Sequence, residues 1–239
     1  TGMSAMRMCE TRSGTWLIGS HASHWDGDRP ITQQFLLRSE DQGKKWTLIP
    51  GDWPNGWQVR AHQRMDEGRP INLSDDRILL MARTPTGKLW AFESADDGKT
   101  WSDPRATPLA HPDAPPMLFH LQDGKTLIAF HHNRSAIGTW GHLHRTELWF
   151  SISRDDARTW EEPRFVLANA CKAATLTGWG GSTPMVSYCD LLVDGDRLHL
   201  FVDHQMRQVL YVPFTEADLA RFPTASDLKQ MEVFSGASQ

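Results

Sequence analysis

The chain has 239 residues, of which 39% are hydrophobic and 23% charged, so a sizeable core can form and global disorder is excluded. The formal net charge is -4, from 25 basic and 29 acidic residues, without the basic excess of a general nucleic-acid binder. The longest apolar runs, such as Ile78–Ala82, fall far short of the ~20 residues of a membrane span, and Cys9, Cys171 and Cys189 form neither a disulfide scaffold nor a CxxC zinc site.

Taken from the N-terminus, an octapeptide recurs. Ser39-Glu40-Asp41-Gln42-Gly43-Lys44-Lys45-Trp46 comes first, and Ser94-Ala95-Asp96-Asp97-Gly98-Lys99-Thr100-Trp101 follows 55 residues on. Ser153-Arg154-Asp155-Asp156-Ala157-Arg158-Thr159-Trp160 follows after another 59, with Ala157 in place of glycine. That period suits one four-stranded propeller blade with its loops.

Between the copies lie short runs rich in β-branched and aromatic residues. Ile78–Ala82, Leu89–Phe92, Thr126–Phe130, Glu147–Ile152, Arg197–Val202 and Gln208–Val212 read as strands. Turn signals bound them, among them Ser74-Asp75-Asp76, Thr86-Gly87, Asp123-Gly124 and Asp194-Gly195. Four repeats follow, at about residues 5–50, 60–105, 113–165 and 182–214, in one all-β domain. Thr215-Glu216-Ala217-Asp218 is a capping-box pattern that predicts a short helix through Phe222.

The octapeptide has a structural logic. A Ser or Asp side chain bonds nearby backbone N–H groups and fixes a tight turn. Glycine supplies positive φ without steric cost, and the Trp folds back over the hairpin. Asp41, Asp96 and Asp155 are therefore expected as turn-holders, not as catalysts or calcium ligands.

The octapeptide resembles the Asp-box, or BNR repeat, of the sialidase superfamily, and the resemblance runs over about residues 5 to 212. Glu67-Gly68-Arg69-Pro70-Ile71, continuing through Ile78–Ala82 to Arg83, resembles the sialidase segment in which a catalytic Glu opens one strand and a carboxylate-binding Arg closes the next. Arg145-Thr146-Glu147-Leu148-Trp149 resembles the strand that starts with another such Arg and leads into a box. Arg134 competes for that role, and the spacing to the following box favours Arg145. Ser187-Tyr188-Cys189-Asp190-Leu191 resembles the segment whose Tyr is the nucleophile; the chain has only two tyrosines against 11 tryptophans.

The resemblance implies a six-bladed β-propeller of which this chain holds about the last four blades. The family's first arginine and its acid/base Asp lie in an early blade in an F-R-I-P context, and Arg7 and Arg12 match it poorly. Both residues are thus expected upstream of Thr1, in a longer chain, in preference to a divergent small propeller. Four blades cut from six would leave two open sheet edges.

The implied activity is that of a sialidase-like exo-glycosidase acting on a terminal carboxylate-bearing sugar of a glycan. Tyr188 would be the nucleophile, Glu67 its base, and Arg83 and Arg145 the carboxylate clamp. No cofactor or metal is expected, and the implied location is secreted or periplasmic. Two alternatives stand beside this. Histidines pair at His21 and His24, His131 and His132, and His142 and His144, as a uronate lyase or related propeller enzyme would need. Trp25, Trp53, Trp57, Trp140 and Trp179 fall in loop-like segments and suit a carbohydrate-binding propeller without turnover.

Overall fold

The computed structural model describes residues 7–138, 145–168, 185–204 and 208–230. They form an all-β chain in two compact units. One comprises Thr1–Leu118 with Arg134–Gly141, the other Phe119–Asn133 with His142–Gln239.

The first unit carries two four-stranded antiparallel meanders. One consists of β1 (Met8–Glu10), β2 (Trp16–Asp26), β3 (Arg29–Ser39) and β4 (Thr47–Ile49). The next consists of β5 (Asp66–Asn72), β6 (Ile78–Arg83), β7 (Lys88–Ser94) and β8 (Arg105–Ala110). All six residues of β6 are buried, and up to Ala82 it reads as a continuous apolar run and not as an alternating one. Leu17 and Leu36 of the first sheet share one core with Met65, Ile78, Leu80, Ala82 and Phe92. Trp57 and Trp101 close that core, packing on Phe92 with ring centroids 4.7 and 5.5 Å away. Cys9 lies in the same core, where burial pushes its thiol up to about 11 and leaves it unreactive at neutral pH.

The sheet of β9 (Met117–His120), β10 (Leu127–His131), β11 (Glu147–Ser153) and β12 (Arg164–Ala168) is again a four-stranded meander. Among the described residues the last sheet is formed by three strands, β13 (Val186–Asp194), β14 (Arg197–His204) and β15 (Gln208–Thr215). In the second unit, Phe130 and Phe150 pack edge to face at 6.1 Å, and Phe222 joins them at 5.5 Å from Phe150. The segment after β15 thereby returns to β12, where Phe165 N–H bonds the Pro223 carbonyl and Arg164 donates to the carbonyls of Ala220 and Phe222.

Every strand expected from the sequence forms. The largest difference is β15, which runs past Val212 to Thr215 through Pro213. Among the described residues β15 is an edge strand, where a missing N–H removes no ladder bond on the open side. The capping box closes as expected, with Asp218 N–H on Thr215 Oγ1 and Thr215 N–H on Asp218 Oδ2. The turn it opens is 3-10, Glu216–Arg221, with Phe222 as its C-cap. A second short helix, α1 (Ala225–Gln230), follows. Its signal was in the sequence too, since Thr224 and Asp227 repeat the same spacing and exchange the same pair of bonds.

The three octapeptides occupy equivalent turns between the third and fourth strands of their sheets. In each, the serine hydroxyl donates to the box Asp at 2.9 Å and accepts the N–H four residues on from the serine. Each Asp accepts a further backbone N–H at 2.8 Å, from Lys45, Thr100 or Thr159. The Lys45 N–H at Asp41, and the Thr159 hydroxyl and N–H at Asp155, hold both carboxyls below the usual range. Slight burial pushes Asp96 up, but the Thr100 and Ser94 donors outweigh it. The ring N–H groups of Trp46 and Trp101 donate to the Gly43 and Gly98 carbonyls. Trp46 stays 38% exposed, so the fold-back does not by itself bury the ring.

Candidate active site

In the first unit the site residues rest on a β-bulge. Asp66 pairs with Arg83 and Arg69 with Met81, so Glu67 and Gly68 together oppose Ala82 alone. Glu67 takes φ 50, a left-handed conformation that is costly for a residue with a side chain. The bulge is held from outside its own sheet. Buried Gln34 accepts the Gly68 N–H at 2.6 Å through Oε1, and its Nε2 donates to the Ser20 and Phe35 carbonyls.

Glu67 meets Arg83, whose Nη1 donates to Glu67 Oε2 at 2.8 Å. Arg83 is 9% exposed and also donates from Nε to Asp113 Oδ1 at 2.6 Å. Arg64 completes the cluster, bonding Asp66 Oδ2 at 2.9 Å and lying 3.2 Å from Asp113 Oδ2. Three carboxylates thus surround two guanidiniums. Burial pushes the Asp66 carboxyl up against the pull of Arg83 and Arg64. Arg64, Asp66 and Asp113 were not singled out by the sequence. An Asp immediately before Glu67 was visible there, but Asp113 lies 30 residues from Arg83 and carried no local signal.

In the second unit the same backbone device appears. Ser187 pairs with Asp203 and Cys189 with Val202, which leaves Tyr188 as an extra residue with φ 50. The Arg145 guanidinium lies over the Tyr188 ring, 5.5 Å from its centroid, and is 4% exposed. The Arg145 carbonyl accepts the Val186 N–H at 2.7 Å, tying this arginine to the start of β13. Arg134 is exposed and belongs to the other compact unit, while Arg145 is buried beside Tyr188.

The remaining candidates divide. His131 and His132 are fully buried, and their ring nitrogens bond Ser151 Oγ and the Glu147 carbonyl. Trp57 is a core packing residue; Trp53 lies 4.6 Å from the His24 ring, and Trp25 is 72% exposed. Trp140, Trp179, His142, His144 and Cys171 lie outside the described residues. Among the described residues no group of three His, Cys, Asp or Glu side chains is arranged to hold a metal ion, and no helix is long and apolar enough to cross a membrane.

Residues 3–200 match the model of a BNR repeat-like domain. No curated protein matches the chain in sequence. Among solved structures, the chain is similar to the NanB sialidase of Streptococcus pneumoniae at 16% identity and a TM-score of 0.63, over 91% of this chain and 32% of that one. It is similar to the intramolecular trans-sialidase of Ruminococcus gnavus at 15% identity and a TM-score of 0.59, over 92% and 44%. It is also similar to a protein of unknown function from Dyadobacter fermentans at 15% identity and a TM-score of 0.56, over 86% and 51%. The chain therefore spans between about a third and a half of the length of these structures. The likeness shows the fold, the sialidase-type β-propeller, with each sheet of this chain as one blade.

Proposed function

The chain belongs to the BNR repeat-like domain family, and from that premise we propose that it contributes to a sialidase-like exo-glycosidase acting on a terminal carboxylate-bearing sugar. One observation carries this reading. Glu67 and Tyr188 occupy the same strained position, φ 50 at a bulge in the first strand of their sheets, and each lies against a buried arginine. Backbone strain of this kind costs about 1–3 kcal/mol per residue and collects at functional sites. Two copies of it, at a Glu and a Tyr, favour a chemical role over a packing one.

The chemistry explains the choice of residues. A sialic acid carries a carboxylate on its anomeric carbon, which repels an anionic nucleophile but not a neutral phenol. In the proposed reaction the Tyr188 oxygen attacks that carbon while Glu67 takes the phenol proton. The bond to the glycan oxygen breaks, and the glycan leaves with a proton from a general acid. Water then releases the sugar from Tyr188, and two inversions give net retention. Arg83 and Arg145 would grip the substrate carboxylate, which a planar guanidinium does in a two-pronged way that lysine cannot reproduce.

The test is hydrolysis of a sialoside and of a uronate-terminated glycan by the full-length protein, with the product anomer followed by NMR. Tyr188→Phe keeps the ring against Arg145 but removes the oxygen, so it should abolish most turnover while the fold persists. Full activity in that variant would overturn the assignment. An unsaturated uronate product would favour a lyase instead, and binding without turnover a lectin.

A further inference from the structure

We propose that Asp113 is a positioning residue for Arg83, holding its guanidinium so that the Nη2 group stays available to the carboxylate of the substrate; this rests on the carboxylate-binding role of Arg83 given above. The geometry is specific. A guanidinium offers five N–H groups, one on Nε and two on each Nη. In Arg83 the Nε N–H goes to Asp113 at 2.6 Å and one Nη1 N–H to Glu67 at 2.8 Å. Nη2 has no partner among the described residues. Nη2 and the second Nη1 N–H are therefore left for one anionic group, the arrangement in which arginine binds a carboxylate by two parallel bonds.

Asp113 is built to stay where it is. It lies in the fully buried stretch His111-Pro112-Asp113-Ala114-Pro115-Pro116 between β8 and β9. Three prolines fix φ there. His111 pins the turn, with its N–H on the Gly87 carbonyl and its Nε2 at 3.1 and 3.2 Å from the Ala114 and Pro115 carbonyls. A wholly buried carboxylate is costly unless it is paired, and a single salt bridge to Arg83 would offset only part of that cost. The other oxygen, Oδ2, faces Arg64 Nη1 at 3.2 Å, and Arg64 is itself held by Asp66. Arg64 thus compensates Asp113 without engaging Arg83.

The experiment compares wild type with Asp113→Asn in the full-length protein, with an aryl sialoside as substrate. Asn keeps the shape but loses the charge-assisted bond to Nε. KM should rise roughly tenfold or more with kcat changed little, because a carboxylate clamp acts on the bound substrate and on the transition state alike. Asp113→Glu should recover part of the loss. Arg64→Lys, which disturbs Asp113 from its other side, should raise KM in the same direction by less, and it stands in if Asp113→Asn does not fold. Unchanged KM in a folded Asp113→Asn, or a lower kcat at unchanged KM, overturns the inference while leaving the proposed function standing. Absence of both turnover and sialoside binding in the wild type overturns the proposed function, and this inference with it.

Discussion

Gly19 of β2 and Gly68 of the β5 bulge meet so closely that a Cβ built on Gly19 would lie 1.7 Å from the Gly68 carbonyl oxygen. The two sheets of the first unit therefore touch through bare backbone at the bulge that carries Glu67. Gln34 fills the space beside that contact and satisfies the Gly68 N–H. The aim of Glu67 is thus decided by a neighbouring sheet as well as by its own strand.

Gly19→Ala should disturb both stability and the site. The clash is with main chain, so no side-chain rotation relieves it and the bulge must shift. Overpacking of this kind costs roughly 1–3 kcal/mol. The denaturation midpoint of the variant should fall and, under the proposed function, sialoside turnover by the full-length protein should fall further than the loss of folded protein accounts for. A midpoint and turnover equal to wild type would show that the two backbones separate freely.

Asp97 should govern acid stability of the first unit. It follows the box Asp96 and collects Thr11 Oγ1 at 2.6 Å, Ser13 Oγ at 2.7 Å and Thr15 Oγ1 at 2.5 Å, all from the turn between β1 and β2. Arg38 donates to the same carboxylate at 2.9 Å. Burial pushes the carboxyl up, but the three hydroxyls and Arg38 outweigh it and hold it below the ordinary value. A carboxyl depressed in the folded state adds stability above its unfolded pKa, about 4, and that stability fades as pH falls through the folded value. Asp97→Asn should therefore cost about 1.5–3 kcal/mol at pH 7 and lose part of the acid sensitivity. Denaturant melts of both proteins from pH 7 to pH 3 measure this. Parallel pH profiles would refute it.

Ala157→Gly should stabilise the second unit. Ala157 has φ 62 in the third box, where the other two boxes have Gly43 at φ 86 and Gly98 at φ 79. A left-handed alanine costs about 1–2 kcal/mol, and the extra freedom of glycine in the unfolded chain returns part of it. The net gain should be roughly 0.5–1 kcal/mol, read as a higher denaturation midpoint. A lower midpoint would mean that the Ala157 methyl packs usefully.

The sequence by itself determined the repeating architecture. Ser, Asp and Gly act on backbone groups within four residues of themselves, so the boxes at Asp41, Asp96 and Asp155 fix their turns wherever the chain goes. Apolar runs such as Ile78–Ala82 likewise report their own burial. Glu67, Arg83, Arg145 and Tyr188 could be singled out because the short stretches around them resemble sialidase segments. The tertiary structure alone decided what holds them. The φ of 50 at Glu67 and Tyr188 is set by register, which depends on the partner strand. Asp113 reaches Arg83 across 30 residues, and Gln34 reaches Gly68 across 34. Such contacts leave no trace in local spacing, because electrostatic and hydrogen-bond partners are chosen by distance in space. The packing of Trp57 and Trp101 against Phe92, and the exposure of Trp25, follow for the same reason: a ring's surroundings are built by strands that the ring's own neighbours do not encode.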